Sequence, residues 1–156
     1  MNSNLETKKS IIEKFIKKYS SKQEINPNSI EIIRGLEIEN DLQFPMEYKY
    51  LLELSYKLYT PKLLDAISDN NIEMFDVQNF SDPNKLKEET REYEEAGMPK
   101  GYIGFANDCM GNMFCFKIDE LKKKTDPAIY IFDHDYIKIE KVADTFYDWI
   151  DAYNRI

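Results

Sequence analysis

The sequence predicts an α+β fold: a mainly antiparallel sheet of about four to six strands with helices packed around it. Two observations carry this. Apolar residues recur at helical spacing through roughly the first sixty residues and again at the end, while residues 100–140 hold short aromatic runs of strand character. The last strand-like runs are joined by a few polar residues, which suits hairpins rather than the crossovers that parallel strands need.

Ser3-Asn4-Leu5-Glu6 reads as a capping box, each side chain satisfying a free amide of the first turn. Behind it Leu5, Ile12, Phe15, Ile16 and Tyr19 form one face of an amphipathic helix, with Lys8, Lys9, Lys14, Lys17 and Lys18 elsewhere. A second short helix carries Ile30, Ile33 and Leu36, with Asn28 and Glu31 as its cap. Pro45 suits the first turn of a third helix, because its missing amide hydrogen would be unpaired there anyway. From Met46 to Tyr59 little polar face remains, so that helix should be largely buried. Ile72 to Phe75 looks like a strand, and Ser81-Asp82-Pro83 signals a helix start. The acidic helix 84–95 ends at Gly97 and Pro99. Residues 102–105 and 113–118 read as strands joined by the polar turn 107–112. Residues 128–132 form another strand, turning through Asp133-His134-Asp135 into 137–139. Val142, Phe146, Trp149, Ile150 and Tyr153 mark a closing helix, with Asp144 as its cap.

The 156 residues, 42% hydrophobic and 13% aromatic, fit a single domain over 1–156, in which 1–29 form an N-terminal helix and loop. No apolar run reaches the ~18 residues that span a bilayer, and the N-terminus lacks the apolar region of a signal peptide. Cys109 and Cys115 lie in a hairpin-like segment without metal-ligand spacing. A reducing cytoplasm with both thiols free is the expected setting.

The net charge of −8 is concentrated. Residues 65–95 hold ten acids against three bases, a net −7, while 1–64 carry +1 and 96–156 carry −2. Such a chain repels phosphate backbones, which argues against direct nucleic-acid binding. It attracts basic partners by electrostatic steering. Three roles fit the acidic segment: a solvated face, a partner-binding face, or a counter-charge for the lysine-rich first helix. Within it, Glu88 and Glu92 are like charges one turn apart, and Lys85–Glu89 and Glu88–Arg91 offer compensation.

Asp133-His134-Asp135 contains the only histidine and invites a metal-dependent enzyme reading. Neighbouring strand residues point to opposite faces, so only Asp133 and Asp135 share a side, and no spacing supplies a further ligand. The structural reading, a strand-end turn, is preferred. Cys115 has no histidine near it in sequence and reads as a core thiol rather than a nucleophile. Gly101, Gly104 and Gly111 form no phosphate-binding fingerprint and read as turn and bulge residues. No catalytic residue, metal site or cofactor is assigned.

Three stretches, in order, resemble the SUKH superfamily, in its branch named after the yeast cell-wall assembly regulator of the Smi/Knr type. Leu36-Glu37 with Phe44-Pro45-Met46-Glu47-Tyr48-Lys49-Tyr50-Leu51-Leu52 is similar to that family's L-P-x-x-Y-x-x-F-L helix start. Residues 98–108 and 111–116 resemble its hairpin, in which a proline-led strand meets a Gly-Asp/Asn turn and an aromatic-cysteine strand. Residues 129–135 and 143–150 are similar to its V-Y-x-x-D-H-E ending and closing helix. The resemblance covers roughly 30–156. It departs at Tyr56-Lys57-Leu58-Tyr59, where the family has an Asn-Gly-Gly turn, and at Asn40, where it has leucine. The resemblance implies a SUKH-like fold and function by contact with another protein. Bacterial members look like immunity proteins that bind and block a cognate toxin domain, often a nuclease or deaminase. Fungal relatives act as scaffolds in signalling. The expected partner is thus a basic toxin domain, the alternative a host protein. The expected partner-binding residues are Glu88, Glu89, Glu92, Glu95, Asp108, Asp133 and Asp135.

Overall fold

The computed structural model describes residues 2–156, with side chains from residue 4 onward. The chain begins with four helices, α1 (Asn2–Tyr19), α2 (Ser29–Asn40), α3 (Met46–Leu54) and α4 (Lys62–Asp69). A two-residue strand β1 (Asn79–Phe80) leads through a 3-10 turn (Pro83–Lys85) into α5 (Leu86–Glu95). Then come β2 (Tyr102–Asn107), β3 (Met113–Lys117), the short α6 (Ile118–Lys122), β4 (Ile129–Asp133), β5 (Lys138–Ala143) and the closing α7 (Phe146–Asn154). The five strands form one sheet in sequence order, and every neighbouring pair is antiparallel.

Strand alternation gives the sheet two different faces. Phe105, Phe114 and Phe116 point into the main core, where α3 and α7 cover them and α1 packs against those two helices. Phe105 stacks on Phe116 with ring centroids 4.2 Å apart and meets Trp149 edge-on at 5.6 Å. The Tyr48 ring from α3 contacts Phe105, Phe116 and Phe146. The opposite face is thinner: Met98, Met113, Cys115 and Phe132 are buried there, with Tyr93 of α5 against them. α5 lies on β2, and the Thr90 hydroxyl accepts the Gly104 amide hydrogen at 3.0 Å. A Cβ at position 104 would stand 1.9 Å from Met113 Sδ, so a larger residue there would displace the buried Met113 side chain.

Several local expectations change. In α1, Ile12, Phe15, Ile16 and Tyr19 are buried, but Leu5 is left exposed. The capping box rests on the Ser3 side chain and lies outside the described residues. Asn28 precedes α2 without a side-chain cap bond. α3 stops at Leu54 rather than Tyr59, because the chain is tied across to residue 24: Ser55 Oγ accepts from Glu24 N, and Tyr56 N donates to Glu24 O. Residues 72–75 are not a strand. They pack irregularly on the core, and the Phe75 carbonyl is taken by the Tyr153 hydroxyl at 2.7 Å instead of by a neighbouring strand. Thr145, not Asp144, caps α7 by accepting from Asp148 N at 3.0 Å, while Asp144 pairs with Lys141 at 2.8 Å.

Candidate docking face

The acidic segment becomes a face because of how α5 is fixed. Asp82 Oδ1 accepts the Asn84 amide at 3.0 Å, and Pro83 opens the turn that feeds the helix. Leu86 and Thr90 are buried against the sheet. Helical spacing then sends Glu88, Glu92 and Glu95 outward, and all three are exposed. Gly97, at φ +115°, ends the run, with Met98 N donating to Tyr93 O at 2.9 Å.

None of the three stripe carboxylates closes an ion pair among the described residues. Neither Lys85–Glu89 nor Glu88–Arg91 closes as an ion pair, and Lys87 reaches Glu39 of α2 instead, at 3.2 Å. The lysines of α1 do not neutralise it either. Lys8 pairs with the buried Glu47 at 3.3 Å, Lys9 sits over the Tyr50 ring, and Lys18 donates to the Asn154 carbonyl. Three acids (Glu92, Glu94 and Glu95) occupy the last turn without a base, at the negative pole of the helix dipole. Glu89 differs from the stripe. It is half-buried in a cleft of about 450 Å³ between α5 and the segment around Tyr59, and burial pushes its carboxyl up despite a hydrogen bond to Ser81. Its Oε2 is buried without a hydrogen-bond partner.

The other expected carboxylates lie in two turns at one end of the sheet. Asp108 is buried, and its carboxylate accepts from Met110 N, Asn112 N and Asn112 Nδ2 at 2.8–2.9 Å. Asp133 is half-buried, and its Oδ1 accepts from the amides of Asp135 and Tyr136 at 3.0 and 3.1 Å. Both carboxylates therefore shape their own turns. Asp135 alone of the three presents an exposed carboxylate, 3.5 Å from His134 Nδ1. His134 Nε2 lies 2.8 Å from the Met110 carbonyl and ties the two turns together. Among the described residues no group of three His, Cys, Asp or Glu is placed to hold a metal ion.

Neither cysteine has an activated thiol. Burial pushes Cys115 far up, and burial with Asp76 beside it pushes Cys109 up to about 11. The two thiols are free, Cys115 buried and Cys109 exposed.

The end of α5 abuts this turn cluster. Tyr93 Oη donates to the Gly111 carbonyl at 2.7 Å, and a Cβ at Gly97 would stand 2.9 Å from Ile137 Cγ2. Sequence reasoning missed what crowns it: Met110, Tyr136 and Ile137 are 66%, 78% and 54% exposed. The available signal was the pair of large apolar residues following a histidine-aspartate turn.

Among the described residues no helix is long and apolar enough to cross a membrane. A search of curated proteins finds no match to this chain. The family model described as SMI1 / KNR4 family (SUKH-1) matches residues 27–152, which takes in the L-P-like helix start, the β2–β3 hairpin and most of α7. The chain belongs to the SMI1 / KNR4 family (SUKH-1).

Proposed function

We propose that this chain is a non-enzymatic immunity protein, one domain acting in the cytoplasm, which binds a basic toxin domain and blocks it through the α5 face. Family membership supports a protein-interaction domain. The observation that carries the finer reading is the unpaired stripe Glu88, Glu92 and Glu95, which ends at the helix's negative pole. Like charges one turn apart and acids at a helix C-terminus each cost a few tenths of a kcal/mol. A stripe that burdens the fold gains a purpose when a basic surface covers it. Long-range attraction would then raise the association rate more than it changes the lifetime of the complex.

The test is an affinity capture of the tagged chain from its native host, washed at low and high salt. Recovery of one basic polypeptide, released by high salt and lost when Glu88, Glu92 and Glu95 are reversed to lysine, supports the proposal. Recovery of signalling or envelope-synthesis proteins, indifferent to the reversal, replaces it with the scaffold role of the fungal relatives.

A further inference from the structure

The β4–β5 hairpin loop beside α5 closes on a residue poorly suited to its backbone. Ile137 has φ +51°, in the left-handed region that a β-branched side chain rarely enters. It stays there although its side chain is more than half exposed, held over Gly97. Strain of this kind persists only where the surrounding structure over-determines it, and it clusters at functional sites. Next to it, Tyr136 donates its amide to Asp133 Oδ1, and His134 of the same turn holds the Met110 carbonyl of the neighbouring turn. Three large apolar residues are thus exposed on two turns that His134 ties together, and apolar surface gathered at one place marks an interaction site.

The charges around them define what fits. Asp135 is exposed beside Tyr136, and the acidic last turn of α5 precedes Gly97. The Tyr136 ring already takes one cation, with Lys138 Nζ 5.8 Å from its centroid. A cation over an aromatic ring beside a carboxylate is a site for arginine or lysine. We propose that Met110, Tyr136 and Ile137 form the anchor of the partner interface. They would be covered by an apolar patch on a basic protein, whose arginine or lysine side chains face Asp135 and the α5 stripe. This rests on the basic-partner reading above. It adds the place where water is excluded, and hence where the complex gains its lifetime.

The test installs a photo-crosslinking phenylalanine analogue at position 136, at position 92 on the acidic stripe, and at the 82%-exposed Ile38 on α2, each in the native host. The expected result is one basic polypeptide crosslinked from 136 and 92 and not from 38. With that polypeptide purified, Tyr136→Ala should weaken binding about tenfold or more, a typical anchor loss. Ile137→Asn should weaken it several-fold while the melting temperature holds or rises, since asparagine tolerates positive φ. A basic polypeptide captured from 92 but not from 136, a crosslink at 136 only to a second copy of the chain, or unchanged affinity in both variants overturns the anchor and leaves the basic-partner reading standing. A neutral or acidic polypeptide crosslinked from 136 overturns the basic-partner reading itself.

Discussion

The two faces of the sheet are covered by different kinds of helix. On one face, α1, α3 and α7 bring aromatic and aliphatic side chains into a continuous core, stitched by specific bonds: Trp149 Nε1 donates to Tyr153 Oη at 3.0 Å, and Asn154 Nδ2 donates to Ile11 O at 2.9 Å. α5 touches that core only through Leu86 at its start, while Tyr93 near its end packs on the opposite face with Met98, Met113, Cys115 and Phe132, and its outer side turns acids to water. The contrast is one of seam width: the main core is sealed from several sides, whereas α5 is buried along one narrow stripe. A helix needing only a narrow apolar seam leaves the rest of its surface free for charge, and changes there leave the core intact.

The comparison is sharpened first where the effect is largest. Phe105→Ala removes a ring that stacks on Phe116 and meets Tyr48 and Trp149, so denaturant unfolding should show a loss of about 3–5 kcal/mol. A loss under about 1 kcal/mol would mean that the main core is not where the fold is held. Tyr153→Phe should cost about 1–2 kcal/mol. The hydroxyl accepts from the Trp149 indole and donates to Phe75 O, so its removal strands a buried N–H and frees the irregular segment 72–75. Faster amide exchange around Phe75 is the local signature to look for.

How much of this was legible follows from what each residue binds. Strands β2, β3 and β4 announced themselves through their aromatic residues, and α5 through its composition. β5 holds no aromatic residue, so only its start was read, and Val142, assigned to the closing helix, lies in the strand instead. Helix α4 did not, because its eight residues bury only Leu63 and Ile67. The run Ile72–Phe75 has strand-like composition, but its backbone bonding is decided by Tyr153 from the far end of the chain, which local pattern cannot reveal. The site divides the same way. Glu88, Glu92 and Glu95 face water because helical spacing requires it once Leu86 and Thr90 are inside. Asp108 and Asp133 are acids of equal charge, yet their short side chains bend back to their own turn amides. The turns that carry Met110 and Tyr136 come together only through strand register, Met113 pairing with Phe132.

Glu89 probes the boundary between the two faces. Burial raises its carboxyl above the ordinary 4.5, so the charged form destabilises the fold. The sign follows from linkage: stability from this group is fully present below its unfolded value and is lost as pH rises through its folded value. Glutamine at 89 keeps an acceptor for Ser81 and does not titrate. At pH 7, Glu89→Gln should therefore be more stable than the parent by several tenths of a kcal/mol, a modest gain because the side chain is half in water. Below about pH 4 the difference should close. A gain that persists unchanged in acid would assign the effect to packing rather than charge.

The smallest effect is also the one with the most at stake. Replacing Glu88, Glu92 and Glu95 together by glutamine removes like-charge repulsion along the stripe and relieves the helix's negative pole. Thermal unfolding in low salt should show a stabilisation of about 0.3–1 kcal/mol, fading near 1 M salt where the Debye length falls to roughly 3 Å. Glutamine retains side-chain length and helix propensity, so a change of sign cannot be blamed on lost packing. If the triple variant is instead destabilised in low salt and the loss disappears in high salt, the carboxylates are held by attractive charges in the fold. The stripe would then belong with the stabilising side of the molecule, and the division between the two faces would fail at the helix that defines it.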